Sequence, residues 1–341
     1  MINPHTPIIK GYIRDMVYDF YNQQSIPVPK SLIEYIYDKR SDNIEYNSFI
    51  KEHHLTEKNN LTNTWSSYST ITNCSLFYAP KTNVSLLNDV FSYLLINSLE
   101  IIFDLKNTRL IINILDKFKN SFLKNIELTL LTELDESELI QIFSKSIVNK
   151  ITIINQNKSR QKQLNVNGTI CTIINSKSIH IKNKNKISFI PINYSFYTES
   201  LKYNTFYNRK MYIDINGNFS NSIITDDNFG NIYSAYKLNT LKKIILSEKF
   251  QKYWKVNKNL CDVCLKCEFK HMCIDNRIPN KRKENEWYFL KECNYNPFIG
   301  KWKGEEDYKT LEECGVISNE KEYSIDHKKI AKINKQIWGV E

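Results

Sequence analysis

The pattern of apolar and polar positions changes character three times along the chain. Near the start, Ile8-Ile9-Lys10-Gly11-Tyr12 and Met16-Val17-Tyr18-Asp19-Phe20 read as the two strands of a hairpin. Pro29 to Tyr37 predicts a helix with proline near its first turn, and Ser48 to His53 a second short one. A strand pair with short helices over residues 1–60 predicts a small winged-helix-like module. From 65 to 200 the period alternates between β and α. Ile71–Phe77, Leu99–Phe103, Ile126–Leu131, Lys150–Ile154, Thr169–Ile174 and Ile187–Ile190 read as strands. Leu86–Leu95 reads as a helix, and Thr108–Phe122 carries Leu110, Ile111, Ile114, Leu115 and Phe118 at helical spacing. Asp135-Glu136-Ser137-Glu138 is a capping box that opens a further helix. This alternation predicts an α/β fold with a parallel sheet, open or partly closed like a barrel. Beyond 205 an Asn216-Gly217 turn sits between Met211–Ile215 and Asn218–Ile223, a strong hairpin signal, and Asn239–Trp254 follows as a helix. No repeat at solenoid period is visible.

Composition narrows the class. A chain of 341 residues with 41% hydrophobic positions has enough apolar surface for two or three folded domains, which excludes global disorder. Lys and Arg number 47 against 37 Asp and Glu, a net charge of +10 spread widely, with Lys281-Arg282-Lys283 as the one short basic run. Such a chain suits an acidic peptide, a nucleotide or nucleic acid, and the charge alone does not choose among them. Met1-Ile2-Asn3-Pro4-His5 lacks the basic and apolar regions of a signal peptide, and the most apolar stretch, Leu86 to Leu105, is broken by Asn88, Asp89, Asn97, Glu100 and Asp104. A cytoplasmic protein with no membrane partner is expected. Five of the eight cysteines fall between 261 and 293, which suits metal binding better than a disulfide framework.

The chemistry concentrates there. Cys264 and Cys267 form a C-x2-C pair, Cys273 follows six positions later, and Cys293 is the remote fourth. Two thiolates from one turn grip a metal centre while a distant ligand ties two chain segments together. The spacing accommodates either a tetrahedral zinc ion or a 4Fe–4S cubane. Four protein thiolates leave no open coordination position, so the centre is expected to be structural or electron-carrying. Cys261 makes a second C-x2-C with Cys264 and reads as a bystander or a substitute ligand; Cys171 and Cys314 read as ordinary buried thiols. His271, inside the loop, could ligate zinc but reads rather as a side chain packed over the centre or exposed beside it, and Trp287, Tyr288, Tyr295, Phe298 and Trp302 read as the cover of the site. Asp214, Glu268, Asp275, Glu305 and Glu306 are the acidic residues considered as general bases, and nothing in the sequence gives any of them a partner that shifts its pKa.

The order of hairpin with central glycine, Phe229-Gly230-Asn231-Ile232, amphipathic helix, C-x2-C-x5-C and later cysteine resembles the SPASM domain that follows the barrel of radical SAM peptide-maturing enzymes. Cys264 to Arg277, Glu286-Trp287-Tyr288, Glu292 to Pro297, Lys301 to Glu306 and Leu311 to Gly315 are similar to the SPASM-domain peptide maturase of grasp-with-spasm systems, specifically over 195–320. The resemblance implies a winged-helix-like peptide-recognition module (1–60), a degenerate partial (β/α) TIM-like barrel of radical SAM type (65–200) and a SPASM-like iron–sulfur domain (205–341). It implies a cytoplasmic role in maturing a ribosomally made peptide (RiPP biosynthesis), with a precursor peptide and an ATP-grasp peptide ligase as partners. It assigns one auxiliary 4Fe–4S cluster to Cys264, Cys267, Cys273 and Cys293, with zinc as the alternative metal. A second cluster is not expected, because Ser222 and Arg277 stand where that ligand set has cysteines and none precedes Gly217 nearby. SAM is not expected either: where a C-x3-C-x2-C triad belongs, the chain has Cys74, Tyr78 and Lys81. Two alternatives belong to other classes, a redox-active peptide-modifying enzyme and a zinc-stapled, basic nucleic-acid-binding protein.

Overall fold

The computed structural model describes residues 6–32, 44–53, 71–118, 121, 123–145, 148–154, 160–166, 169–176, 192–234 and 238–339. Two units emerge, one from 1–66, 185–206 and 253–341, the other from 67–184 and 207–252.

In the first unit, β1 (Ile8–Ile9), β2 (Arg14–Asp19) and β3 (Gln24–Pro29) form an antiparallel sheet in that order. The expected hairpin is β1 with β2; β3 was not foreseen, because its two prolines argue against a paired strand. They are tolerated because a sheet edge leaves the outward amide unpaired. The sheet is covered on both faces. Val17, Ile26 and Val28 pack with Ile50 of α1 (Ile44–Glu52), while Met16, Tyr18 and Phe20 pack with Phe269, Met272 and Tyr295 of the cysteine region. That is why five successive residues of β2 are buried. Its two aspartates are both bonded: Asp15 accepts from Gly11 N (3.1 Å) and Lys30 Nζ (2.5 Å), and Asp19 caps the following turn through Tyr21 N and Asn22 N. The helix expected from Pro29 shows helical geometry at 30–32; its remainder, like the expected strand Ile187–Ile190, lies outside the described residues. Farther along come α5 (Tyr194–Ser200), capped by Asn193, then three two-stranded hairpins: β12 (Pro279–Lys283) with β13 (Glu286–Phe289), β14 (Tyr295–Asn296) with β15 (Lys301–Trp302), and β16 (Val316–Ser318) with β17 (Tyr323–Ile325). The closing helix α7 (His327–Trp338) buries Ile330 and Ile333 against Phe298, Ile299 and Val316.

The second unit is a mixed α/β arrangement around an eight-stranded, largely parallel sheet, ordered β11-β10-β4-β5-β6-β7-β9-β8. The strands are β4 (Asn73–Phe77), β5 (Ser98–Phe103), β6 (Asn125–Leu130), β7 (Val148–Ile154), β8 (Arg160–Val166), β9 (Thr169–Ser176), β10 (Lys210–Ile213) and β11 (Phe219–Ser220). From β4 to β7 the chain advances one strand at a time through α2 (Val84–Leu94), α3 (Thr108–Asp116) and α4 (Glu136–Lys145). Right-handed crossovers that always step the same way place those three helices on one face. The register divides the two faces sharply. One row crossing the sheet reads Phe219, Ile213, Leu76, Ile101, Leu128, Ile151 and Ile173, all buried. The row beside it, pointing to the other face, reads Ser220, Tyr212, Ser75, Glu100, Glu127, Lys150, Thr172 and Gln163. On that face Glu100 accepts from Ser75 Oγ and Thr129 Oγ1, each at 2.8 Å, and Lys150 pairs with Glu127 at 2.7 Å. Among the described residues the sheet is open, its edges the antiparallel strands β11 and β8.

Local signals explain the element ends. The capping box is reciprocal: Glu138 N donates to Asp135 Oδ1 (2.9 Å) and Asp135 N to Glu138 Oε2 (3.0 Å). Asn83 and Asn107 cap α2 and α3 through Leu86 N and Leu110 N. Gly217 has φ +83, and a Cβ there would stand 2.1 Å from the Tyr233 ring, so the hairpin turn requires glycine. The expected helix Asn239–Trp254 is shorter, α6 (Leu238–Ile245), and ends as Ser247 N turns back to Ile244 O. The segment expected as one domain, 205–341, divides: β10, β11 and α6 belong to the second unit and everything from Tyr253 to the first. No described helix is long and apolar enough to cross a membrane. Leu128→Ala, at the sheet centre, is expected to cost about 2–5 kcal/mol in urea denaturation. Glu127→Gln, breaking a pair about one-third exposed on each side, should cost less than about 1 kcal/mol.

Candidate metal centre

The C-x2-C pair is made by a tight turn. Cys264 opens a single 3₁₀ turn, Cys264–Lys266, and Cys267 N donates to Cys264 O at 3.0 Å. The turn is entered through Val263 at φ 62, an outlier for a β-branched residue, and is held by Leu265 N to Cys261 O and Lys266 N to Val263 O, both 3.0 Å. Cys264, Cys267, Cys273 and Cys293 all border one small cavity of about 30 Å³. Among the described residues no group of three or more His, Cys, Asp or Glu side chains is arranged to hold one metal ion, and the four cysteines share the cavity's border with eight other residues. Two of them already receive amide hydrogen bonds, Phe269 N to Cys267 Sγ at 3.4 Å and Tyr295 N to Cys293 Sγ at 3.5 Å. Burial pushes the Cys267, Cys273 and Cys293 thiols up, and the neighbouring cysteines add to it, so the bare thiols hold their protons. A metal centre would displace those protons.

A buried charge cluster flanks the cavity. Lys258 Nζ lies 2.5 Å from Asp275 Oδ2, and Arg277 clasps the same carboxylate through Nε (3.0 Å to Oδ1) and Nη2 (2.7 Å to Oδ2). Burial pushes Asp275 toward protonation, but Lys258 and Arg277 outweigh it and hold its carboxyl well below the usual range. Burial likewise pushes Lys258 down, and Asp275 outweighs it, so the ammonium sits above its ordinary value.

A second buried carboxylate ties the cysteine loop to the N-terminal sheet. Glu268 is 1% exposed and accepts from Arg14 Nε (3.0 Å) and Tyr295 OH, while Tyr18 OH donates to the Glu268 carbonyl at 2.9 Å. Phe269, Tyr295 and Trp302 pack mutually, with ring centroids 4.7–5.9 Å apart, and all border the cavity.

The remaining predicted residues separate clearly. Cys261 does not border the cavity; its thiol is buried, lies 3.5 Å from Asn257 O and is pushed up to about 12 by burial. Cys171 and Cys314 are buried elsewhere. His271 packs edge-on to Tyr197 and shares a 3.0 Å hydrogen bond with Ser200, and burial followed by Lys270 pushes it down to about 4. Trp287 packs on Tyr253, and Phe298 belongs to the α7 core. Asp214 organises the Gly217 turn through Asn216 N and Asn218 N, each 2.8 Å, Glu305 receives Trp302 N at 2.8 Å, and Glu306 is exposed. Within the basic run, Arg282 turns inward to Asp262 and to Asn319 O, so the run is part of a hairpin rather than a basic patch. Cys74 is 2% exposed, on the strand face of Met211 and Leu99, and burial pushes its thiol up; Lys81 Nζ bonds Asn216 Oδ1 at 2.9 Å, and Tyr78 packs on Phe103. Sequence reasoning missed Lys258, Arg277, Arg14 and Tyr18; the i, i+2 spacing of Asp275 and Arg277 was the one local signal.

Comparison with protein-family models, with curated proteins and with solved structures finds no match.

Arg14→Ala strips a nearly fully buried carboxylate of its cation and is expected to destabilise by about 3 kcal/mol or more. Tyr18→Phe, which loses one neutral hydrogen bond, should cost about 1 kcal/mol. Both are measured by anaerobic, reducing chemical denaturation.

Proposed function

We propose that the chain is a maturation factor for a ribosomally synthesised peptide, a SPASM-type protein that binds the precursor and works beside an ATP-grasp ligase. The observation that carries this reading is the gathering of Cys264, Cys267, Cys273 and Cys293 around one cavity, since these are the cysteines on which the resemblance rests. Four cysteine thiolates fit a zinc ion or a 4Fe–4S cluster, the resemblance favours the cluster, and the cluster, when bound, would supply one-electron storage. The second unit supports descent from a partial (β/α) barrel. From β4 to β7 its strands and helices alternate and step one way across the sheet, as they do in such a barrel. Cys74, turned into the apolar side, gives no support to a radical-forming triad.

For the precursor, the two edges of the N-terminal sheet suit strand addition poorly. β3 carries Pro27 and Pro29, which have no amide to offer, and β1 is two residues long. Beside the sheet lies a larger groove of about 1040 Å³, with Val28, Ile330 and Trp338 among its apolar walls and Lys30, Lys332 and Lys335 at its border. No Asp or Glu borders it among the described residues. We place an acidic, apolar-bearing stretch of the precursor there, held by side chains rather than by backbone pairing.

Two measurements test the reading. Anaerobically purified protein should be brown and carry about four irons per chain. Serine at Cys264, Cys267, Cys273 or Cys293 should cost most of that iron, and Cys261→Ser should keep it. A colourless protein with one zinc would favour the nucleic-acid-binding alternative, and release of 5′-deoxyadenosine from SAM would favour the redox-active enzyme. In fluorescence anisotropy with the co-encoded precursor, Lys332→Glu is expected to weaken binding about tenfold at low salt. No binding by cluster-loaded protein would overturn the role given to the groove.

A further inference from the structure

We propose that Arg277 sets the redox balance of the four-cysteine centre, as a fixed positive charge and a hydrogen-bond donor to the Cys264 sulfur. The inference rests on the iron–sulfur reading above. Four contacts hold the guanidinium still. It is bidentate to Asp275, donates through Nη1 to Lys291 O at 2.6 Å, lies 4.2 Å above the Phe289 ring, and aims Nη2 at Cys264 Sγ from 3.8 Å.

Arg277, Cys264 and Cys293 all border both the small cavity and an outer cleft of about 440 Å³. Lys258 and Arg277 face a single carboxylate, Asp275, which leaves one positive charge uncompensated beside the thiols. A thiolate-held cluster gains one negative charge on reduction, so a fixed cation and an N–H to sulfur both favour the reduced form. Lysine would keep the charge but not the planar fork that reaches Asp275, Lys291 O and Cys264 together.

The test uses the full chain, reconstituted anaerobically and titrated with dithionite under mediated potential control, with iron content measured alongside. Arg277→Gln is expected to keep its iron and to shift the oxidised-to-reduced ratio about tenfold toward the oxidised form, a midpoint lower by about 59 mV for one electron. Arg277→Lys should recover at least half of that shift. Asp275→Asn, which removes the negative member, should move the midpoint the opposite way, whereas a purely structural role would move both variants alike. A fully loaded Arg277→Gln whose ratio stays within about twofold of wild type would overturn the proposal and leave the cluster reading intact. Wild-type protein that binds zinc, or no iron, would end both. If Arg277→Gln and Asp275→Asn both fail to hold iron, the charge cluster serves the fold alone and the proposal is overturned.

Discussion

The cysteine-bearing unit depends on one buried carboxylate. Glu268 follows Cys267 directly, and its side chain is almost wholly removed from water. An ionised carboxylate in that position costs several kcal/mol unless cations and hydroxyls replace its hydration. Arg14 and Tyr295 do so for one oxygen, Oε1, the first from the N-terminal sheet and the second from two residues beyond Cys293, while Oε2 is buried with no hydrogen-bond partner among the described residues. Tyr295 also donates its amide to Cys293 Sγ. A single acid therefore links the C-x2-C arm, the remote cysteine and the strand that covers them.

The charges around the cage differ in kind. Glu268 and Arg14 cancel, so that pair fixes position without imposing a field. Lys258, Asp275 and Arg277 do not cancel, and Arg277 reaches the Cys264 sulfur directly. One charged group thus accounts for the architecture of the site and the other for its electrostatic character.

The parallel sheet was the most legible part of the chain, because β4 to β7 carry apolar runs of strand length and the intervening helices carry asparagine caps or a capping box. The candidate cage was legible for a different reason: cysteine spacing is chemistry written locally. What escaped was whatever depends on partners far away in sequence. Arg14 and Glu268 are 254 residues apart, and nothing local marks either as half of a pair. Lys258 hides among the many lysines of a basic chain, yet it is one of the few that is buried. The short hairpins after Pro279 were missed because strands of two to five residues have too little length for alternation to show, and β3 because proline conceals a strand that occupies an edge.

The same long separation has a temporal side. On the ribosome, Met16, Tyr18 and Phe20 emerge early, while Phe269, Met272 and Tyr295, which cover them, are made much later. At roughly 5–20 residues per second, the interval is on the order of ten seconds to a minute. During that time the nascent sheet has one apolar flank without its native cover.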